Sequence, residues 1–370
     1  MPEIDGLRFI AIASVVLFHL SVFLIAKDVN LYTNTLDYSL LKRILSHGYL
    51  GVPLFFVISG FILGMPFAKF HIGKEKQVSL KKYFLRRLTR LEPPYILIMT
   101  ILLFGAVYIA MTISLNEGIV SYLSSIMYSH NFIYPGVYPL LNAPAWSLEI
   151  EVQFYILAPL MAYIFSIQAS SIRRLLLLSL TIFFLLINNF NTFPFVSLIN
   201  YIQYFLIGFL LVDLYVSKST LLPKTKLDYL IGLSFFFIIW LFVKGDFKFD
   251  YQKFIWEVLQ LSSIFFLYYY VLFHNILKFL SFKLITNIGG MCYSIYLLHY
   301  PIISMFGNPL LKFQFSKNIF VNISIYSVLL IFAIMAISSL FFLLIERPCM
   351  DKDWYKKIIK RRYPLTNLKQ

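Results

Sequence analysis

Residues Leu7–Leu20 read LRFIAIASVVLFHL. Apart from Ser14 the run is apolar, with Arg8 near its start and His19 near its end. A helix of this composition belongs in hydrocarbon. There a permanent cation and an imidazole are costly and mark function by default. Eleven positions separate the two. At ~100° per residue that is about three turns plus ~20°, so both side chains lie on one face. Along the axis they are ~16 Å apart, about half the thickness of a bilayer core.

The remainder of the chain fits this reading. Of 370 residues 60% are hydrophobic and only 13% charged, about half the charge of a water-soluble chain. Mean hydropathy is +0.78. Ten candidate spans follow from the apolar runs: 7–26, 48–67, 93–115, 146–166, 173–190, 195–216, 227–243, 255–278, 285–307 and 319–345. The expected fold is therefore all-α, a polytopic membrane bundle of about ten transmembrane helices. It occupies 1–348 as one integral-membrane domain, followed by a basic cytoplasmic tail at 349–370. The first run lacks a separate basic region and a small-residue cleavage site, so it reads as a retained span rather than a signal peptide.

Charge orients the bundle. With the N-terminus inside, 24 of the 32 Lys and Arg fall on the cytoplasmic side, which places both termini there. The net charge of +15 then reflects topology and anionic lipid, not nucleic acid. The outer loop 116–145 has no Lys or Arg and carries Tyr128, Tyr134 and Tyr138. It either covers a site or packs on the bundle. Cys292 and Cys349 are too few and too far apart for a metal cluster, so no metal is expected.

Other spans also carry polar groups. In PAWSLEIEVQFY the fourth span enters from outside, with Trp146 at the interface and Glu151 ~7 Å deeper. Glu149, two residues away, faces elsewhere and is the weaker carboxylate. SIYLLHYP carries His299 ~20 Å from the cytoplasmic end of the ninth span. If these helices adjoin, His19, Glu151 and His299 converge in the outer half of the membrane. On the cytoplasmic side, SLKKYFLRRLTRLEPPY sets Arg87 and Arg90 on one helical face. Guanidinium forks suit phosphate oxygens, and a polyphosphate ligand and a lipid anchor stand here as equal readings. In GVPLFFVISGF the small residues Gly51, Ser59 and Gly60 read as close helix packing. Glu346-Arg347-Pro348 reads as a local ion pair or snorkelling at the last exit.

Taken together these motifs resemble the integral-membrane acyltransferase 3 family, bacterial O-acyltransferases of surface sugars. The resemblance covers essentially the whole chain. It rests on DGLRFIAIASVVLFH, FFVISGF, RRLTR, WSLEIEVQFY, SIYLLHYP and the terminal ERP, in that order. It implies a multi-pass protein of the bacterial inner (cytoplasmic) membrane, using acetyl-CoA or another acyl-CoA as donor substrate with no permanently bound cofactor. The implied acceptor is a sugar hydroxyl on lipopolysaccharide O-antigen, capsule or another lipid-linked or surface glycan.

By the same resemblance His19 is catalytic, and Arg8, Arg87 and Arg90 serve donor binding. Glu151 is the matching acid, with Val152 where the family often has a second one. Ser147, Trp146, Tyr296 and His299 are further site candidates from the same motifs. Some members carry an extra C-terminal extracytoplasmic domain; here acceptor choice is expected from the membrane core and its outer loops. His19 either acts as general base or is itself acylated. A transporter or flippase for a glycan precursor, and a sensory membrane protein, are the rival classes. Membrane lipids are expected partners, nucleic acid is not, and oligomeric state is left open.

Overall fold

The computed structural model describes residues 1–27, 45–241, 250–351 and 354. Among these every regular element is a helix. The main ones are α1 (Pro2–Lys27), α2 (Gly51–His71), α3 (Leu80–Phe104), α4 (Leu115–Ile126), α5 (Trp146–Met161) and α6 (Ser170–Phe190). They are followed by α7 (Ile202–Val216), α8 (Asp228–Leu241), α9 (Asp250–His274), α10 (Lys283–Gly290), α11 (Cys292–Leu310) and α12 (Ile319–Phe341).

Seven helical segments among the described residues are long and apolar enough to cross a membrane. They contain α1, α2, α3, α5, α6, α9 and α12. The remaining three expected spans look different. The sixth and seventh correspond to α7 and α8, 15 and 14 residues long, about 23 and 21 Å against a ~30 Å core. The ninth is broken at Met291 into α10 and α11, just after the helix-weakening pair Gly289–Gly290. The third, by contrast, is longer than expected: α3 runs from Leu80 straight through Pro93 and Pro94. The cytoplasmic arginines therefore sit on the same rod as the apolar span. The proposed tail 349–370 lies almost wholly outside the described residues.

How the helices tolerate their prolines explains part of the packing. A proline frees the carbonyl four residues earlier, and in lipid that oxygen needs another donor. Pro93 frees Thr89, whose carbonyl accepts from the Trp354 indole at 3.2 Å. Pro159 frees Tyr155, whose carbonyl accepts from Tyr83 Oη at 3.2 Å. Pro301 frees Leu297, whose carbonyl accepts from Asn142 Nδ2 at 3.0 Å. At these three prolines the break in the helix becomes a tie to another part of the chain.

Helix α2 is central. Its apolar window is 67% buried, against 17% for the segment containing α12, which faces outward. A Cβ on Gly60 would collide with the Phe205 carbonyl of α7, and one on Gly208 with the Val57 carbonyl of α2. The two helices are as close as backbone allows. Around this seam Phe56, Phe154, Phe205 and Phe209 build one apolar cluster, Phe154 stacking on Phe205 at 4.0 Å. A second cluster gathers Val16, Leu20, Tyr95, Leu297, Ile303 and Leu330 from α1, α3, α11 and α12. Phe55 packs against both clusters.

Candidate active site

Three arginines from two helices share one cavity. Arg8 of α1 and Arg87 and Arg90 of α3 line it with Ser59, Ser147, Glu151, Tyr155, Cys292 and Tyr296. Its empty space is about 870 Å³ counting the open mouth. Arg8 is steered by Asp5, one turn before it, through a 2.7 Å ion pair. The Arg87 guanidinium lies over the rings of Tyr83 at 5.8 Å and Tyr155 at 5.7 Å, which holds it by cation–π attraction. Arg90 Nε is buried and has no acceptor among the described residues. A buried guanidinium nitrogen without a partner is costly unless an anion joins it.

Glu151 is the acid of this cavity. Ser59 Oγ and Tyr155 Oη both donate to its Oε1, each at 2.5 Å. Oε2 takes no hydrogen bond among the described residues. The packing reading of GVPLFFVISGF therefore divides within the motif. Gly51 and Gly60 allow close approach, to Ala11 of α1 and Phe205 of α7, whereas Ser59 serves the cavity.

His19 lies in a second cavity, on the other side of Ser147 and Tyr296. It is lined by Phe18, Tyr49, Tyr138, Trp146, Tyr201, Tyr204, Trp256 and Tyr300, with Asn188, Asn200, Gln203, Lys253 and Glu257 among them. About 1980 Å³ of empty space lies within it, counting its opening. Of the three residues expected to converge, two meet: His299 Nε2 is 3.2 Å from His19 Nδ1. Glu151 stays in the arginine cavity, because α5 carries it one turn deeper than Ser147. The outer loop both packs and covers. Asn131 donates its backbone N–H to Glu149 Oε2 at 3.0 Å, Tyr128 donates to Glu92 at 2.8 Å, and Tyr138 lines the histidine cavity.

The wall between the cavities is thin. Tyr296 Oη donates to the Pro144 carbonyl. Ser147 Oγ lies 3.0 Å from Tyr296 Oη, and Val52 faces both spaces. The Tyr296 ring is 6.2 Å from the His299 ring. Arg8 and His19, on one face of α1, thus point into two chambers separated by a pair of hydroxyls.

One contact was not legible in the sequence. Glu346 of the terminal ERP is fully buried. Its Oε2 accepts from Ser294 N at 3.0 Å and Ser294 Oγ at 2.5 Å, which pins the start of α11. The expected local ion pair with Arg347 does not form. Ser294 and Glu346 are 52 positions apart, and only ERP and SIY taken as one unit would have signalled their contact. Among the described residues no three His, Cys, Asp or Glu side chains gather as a metal site requires.

Comparison with known proteins bears on these chambers. A family profile for acyltransferase 3, described as an acyltransferase domain, matches residues 1–344. The O-acetyltransferase OatA of Staphylococcus aureus strain NCTC 8325 is 29% identical over 332 residues, covering 82% of this chain and 50% of that protein. OatA of strain MRSA252 gives the same figures of 29% and 82%. The chain spans about half the length of the curated relatives it matches. No solved structure matches it.

Proposed function

The chain belongs to the acyltransferase 3 family, and from that premise we propose that it transfers an acetyl group from cytoplasmic acetyl-CoA to a sugar hydroxyl of a cell-surface glycan. O-antigen, capsule and related lipid-linked glycans are the acceptor class. The observation that carries the reading is the back-to-back pair of chambers, one basic and one holding a histidine pair, with two hydroxyls between. Arg8, Arg87 and Arg90 hold the phosphates of coenzyme A, Arg90 Nε finding its missing acceptor there. The pantetheine arm extends along the first cavity, and its thioester reaches the side of His19 when the hydroxyls of Ser147 and Tyr296 part. Glu151, tied to Ser59 and Tyr155, sets the polarity of that path. On the other side Trp146, Tyr201 and Trp256 offer flat faces to sugar rings, and Asn188, Asn200 and Gln203 offer amide groups.

His19 shares its chamber with the acceptor side, which favours the general-base role over acylation. It takes the proton of the sugar hydroxyl as the oxygen attacks the thioester carbonyl. The carbon–sulfur bond then breaks and the imidazolium passes its proton to the departing thiolate. Such catalysis is worth ~10²–10⁴ in rate. Topologically, we read ten crossings with both termini cytoplasmic. In that reading α7 and α8 are short sixth and seventh spans, accommodated by local thinning of the bilayer, and α10–α11 is the broken ninth.

The test uses purified protein in nanodiscs with acetyl-CoA and a glycan acceptor. His19→Ala abolishes O-acetylation, and Arg90→Ala chiefly raises the KM for acetyl-CoA. Wild-type turnover in His19→Ala would overturn the assignment. Acetyl trapped on His19 after rapid denaturation would replace the base role with a covalent one.

A further inference from the structure

We propose that His299 is a positioning residue that fixes which ring nitrogen of His19 performs the chemistry. The inference rests on the reading of His19 as the working imidazole and goes beyond it by assigning the atom and its support. Carbonyl oxygens only accept hydrogen bonds. His299 Nδ1 lies 3.0 Å from the Ile295 carbonyl and 2.8 Å from the Tyr296 carbonyl. Its proton is therefore on Nδ1, and in the neutral ring Nε2 is left as an acceptor. That Nε2 faces His19 Nδ1 at 3.2 Å, and the same His19 Nδ1 lies 3.0 Å from the Val15 carbonyl. Both neighbours of His19 Nδ1 are acceptors, so Nδ1 carries the proton. The lone pair of His19 is on Nε2, which has no protein partner among the described residues.

This arrangement holds a base in its working tautomer with a backbone-anchored imidazole where other enzymes use a carboxylate. When Nε2 takes the hydroxyl proton, His19 becomes a cation, and its Nδ1–H bond to His299 becomes charge-assisted. His299 is fully buried. A neutral acceptor at that depth supports the cation as it forms without leaving an unpaired anion in the resting site. No carboxylate among the described residues hydrogen-bonds either imidazole. The other rings around the pair are Phe18 and Tyr300, edge-on to His19 at 5.1 and 5.4 Å, and Tyr296 beside His299.

Two variants and one spectrum test the proposal. His299→Phe keeps the bulk and removes the acceptor. His299→Gln keeps an acceptor oxygen in reach of His19 Nδ1. In nanodiscs with acetyl-CoA, His299→Phe is expected to lower kcat roughly 10–100-fold, the usual loss when a histidine's orienting partner is removed. The KM for acetyl-CoA stays within about twofold of wild type, since the arginine chamber is untouched; this also reports that the variant is folded. His299→Gln recovers most of the rate. Nitrogen-15 spectra of histidine-labelled wild type show the His19 proton on Nδ1, and in His299→Phe the two tautomers mix. Full kcat in His299→Phe, equal loss in both variants, or a wild-type His19 protonated on Nε2 would each overturn the assignment. If the wild type transfers no acetyl at all, the functional reading fails. The spectrum still decides the tautomer.

Discussion

Ser59 and Gly60 stand side by side in the sequence and are both small, yet the structure uses them differently. Gly60 permits contact with the α7 backbone, whereas the Ser59 hydroxyl donates to Glu151. A hydrogen bond to a charged group is worth about 1.5–3 kcal/mol. Ser59→Ala is therefore expected to lower thermal stability by about that much and, by releasing Glu151 in the donor cavity, to raise the acetyl-CoA KM. Steady-state kinetics beside a melting curve separate the two. An unchanged KM would return Ser59 to a packing role. Arg87→Lys belongs at the same scale. It keeps the charge but loses the flat stacking on Tyr83 and Tyr155, and its acetyl-CoA affinity, measured by titration, is expected to fall.

Helices were the most legible part of the chain, because runs of apolar residues announce themselves. The pairing of Arg87 with Arg90 followed from helical spacing alone. The meeting of His19 and His299 followed only from their similar depth in two separate spans. What stayed hidden were the ties between distant elements: Ser294 to Glu346, and the donors that repair proline breaks. These depend on which helices adjoin, and periodicity does not report adjacency.

Such ties are testable. Asn142→Leu leaves the carbonyl freed by Pro301 without its donor, at a cost of about 1–3 kcal/mol visible as a lower melting temperature in detergent. Gly208→Val forces α7 off α2 and is expected to cost at least about 1–3 kcal/mol, as overpacking does, with loss of folded yield. The outer loop adds a pH effect. Burial pushes His130 below its usual imidazole value, so the folded loop resists protonation. Its contribution is intact at neutral pH and declines as pH falls through ~6.5, where the unfolded chain binds the proton first. Hydrogen exchange at residues 129–137, corrected for intrinsic rates, is expected to quicken at pH 5.5 relative to pH 7.5.

At the scale of the whole molecule, the two chambers open toward different sides in the proposed topology. Cys292 supplies a native probe, since it lines the arginine chamber while Cys349 is buried elsewhere. Alkylation of Cys292 by a small thiol reagent is expected to slow several-fold when acetyl-CoA is present and to be indifferent to glycan. The reverse pattern would move the donor to the other chamber. The wall of Ser147, Tyr296 and Pro144 then has a metabolic meaning. Under the proposed function, a barrier one side chain thick would pass an acetyl group while keeping the nucleotide carrier at home, so that the cell would modify its outside without exporting coenzyme and without a permanent leak for ions.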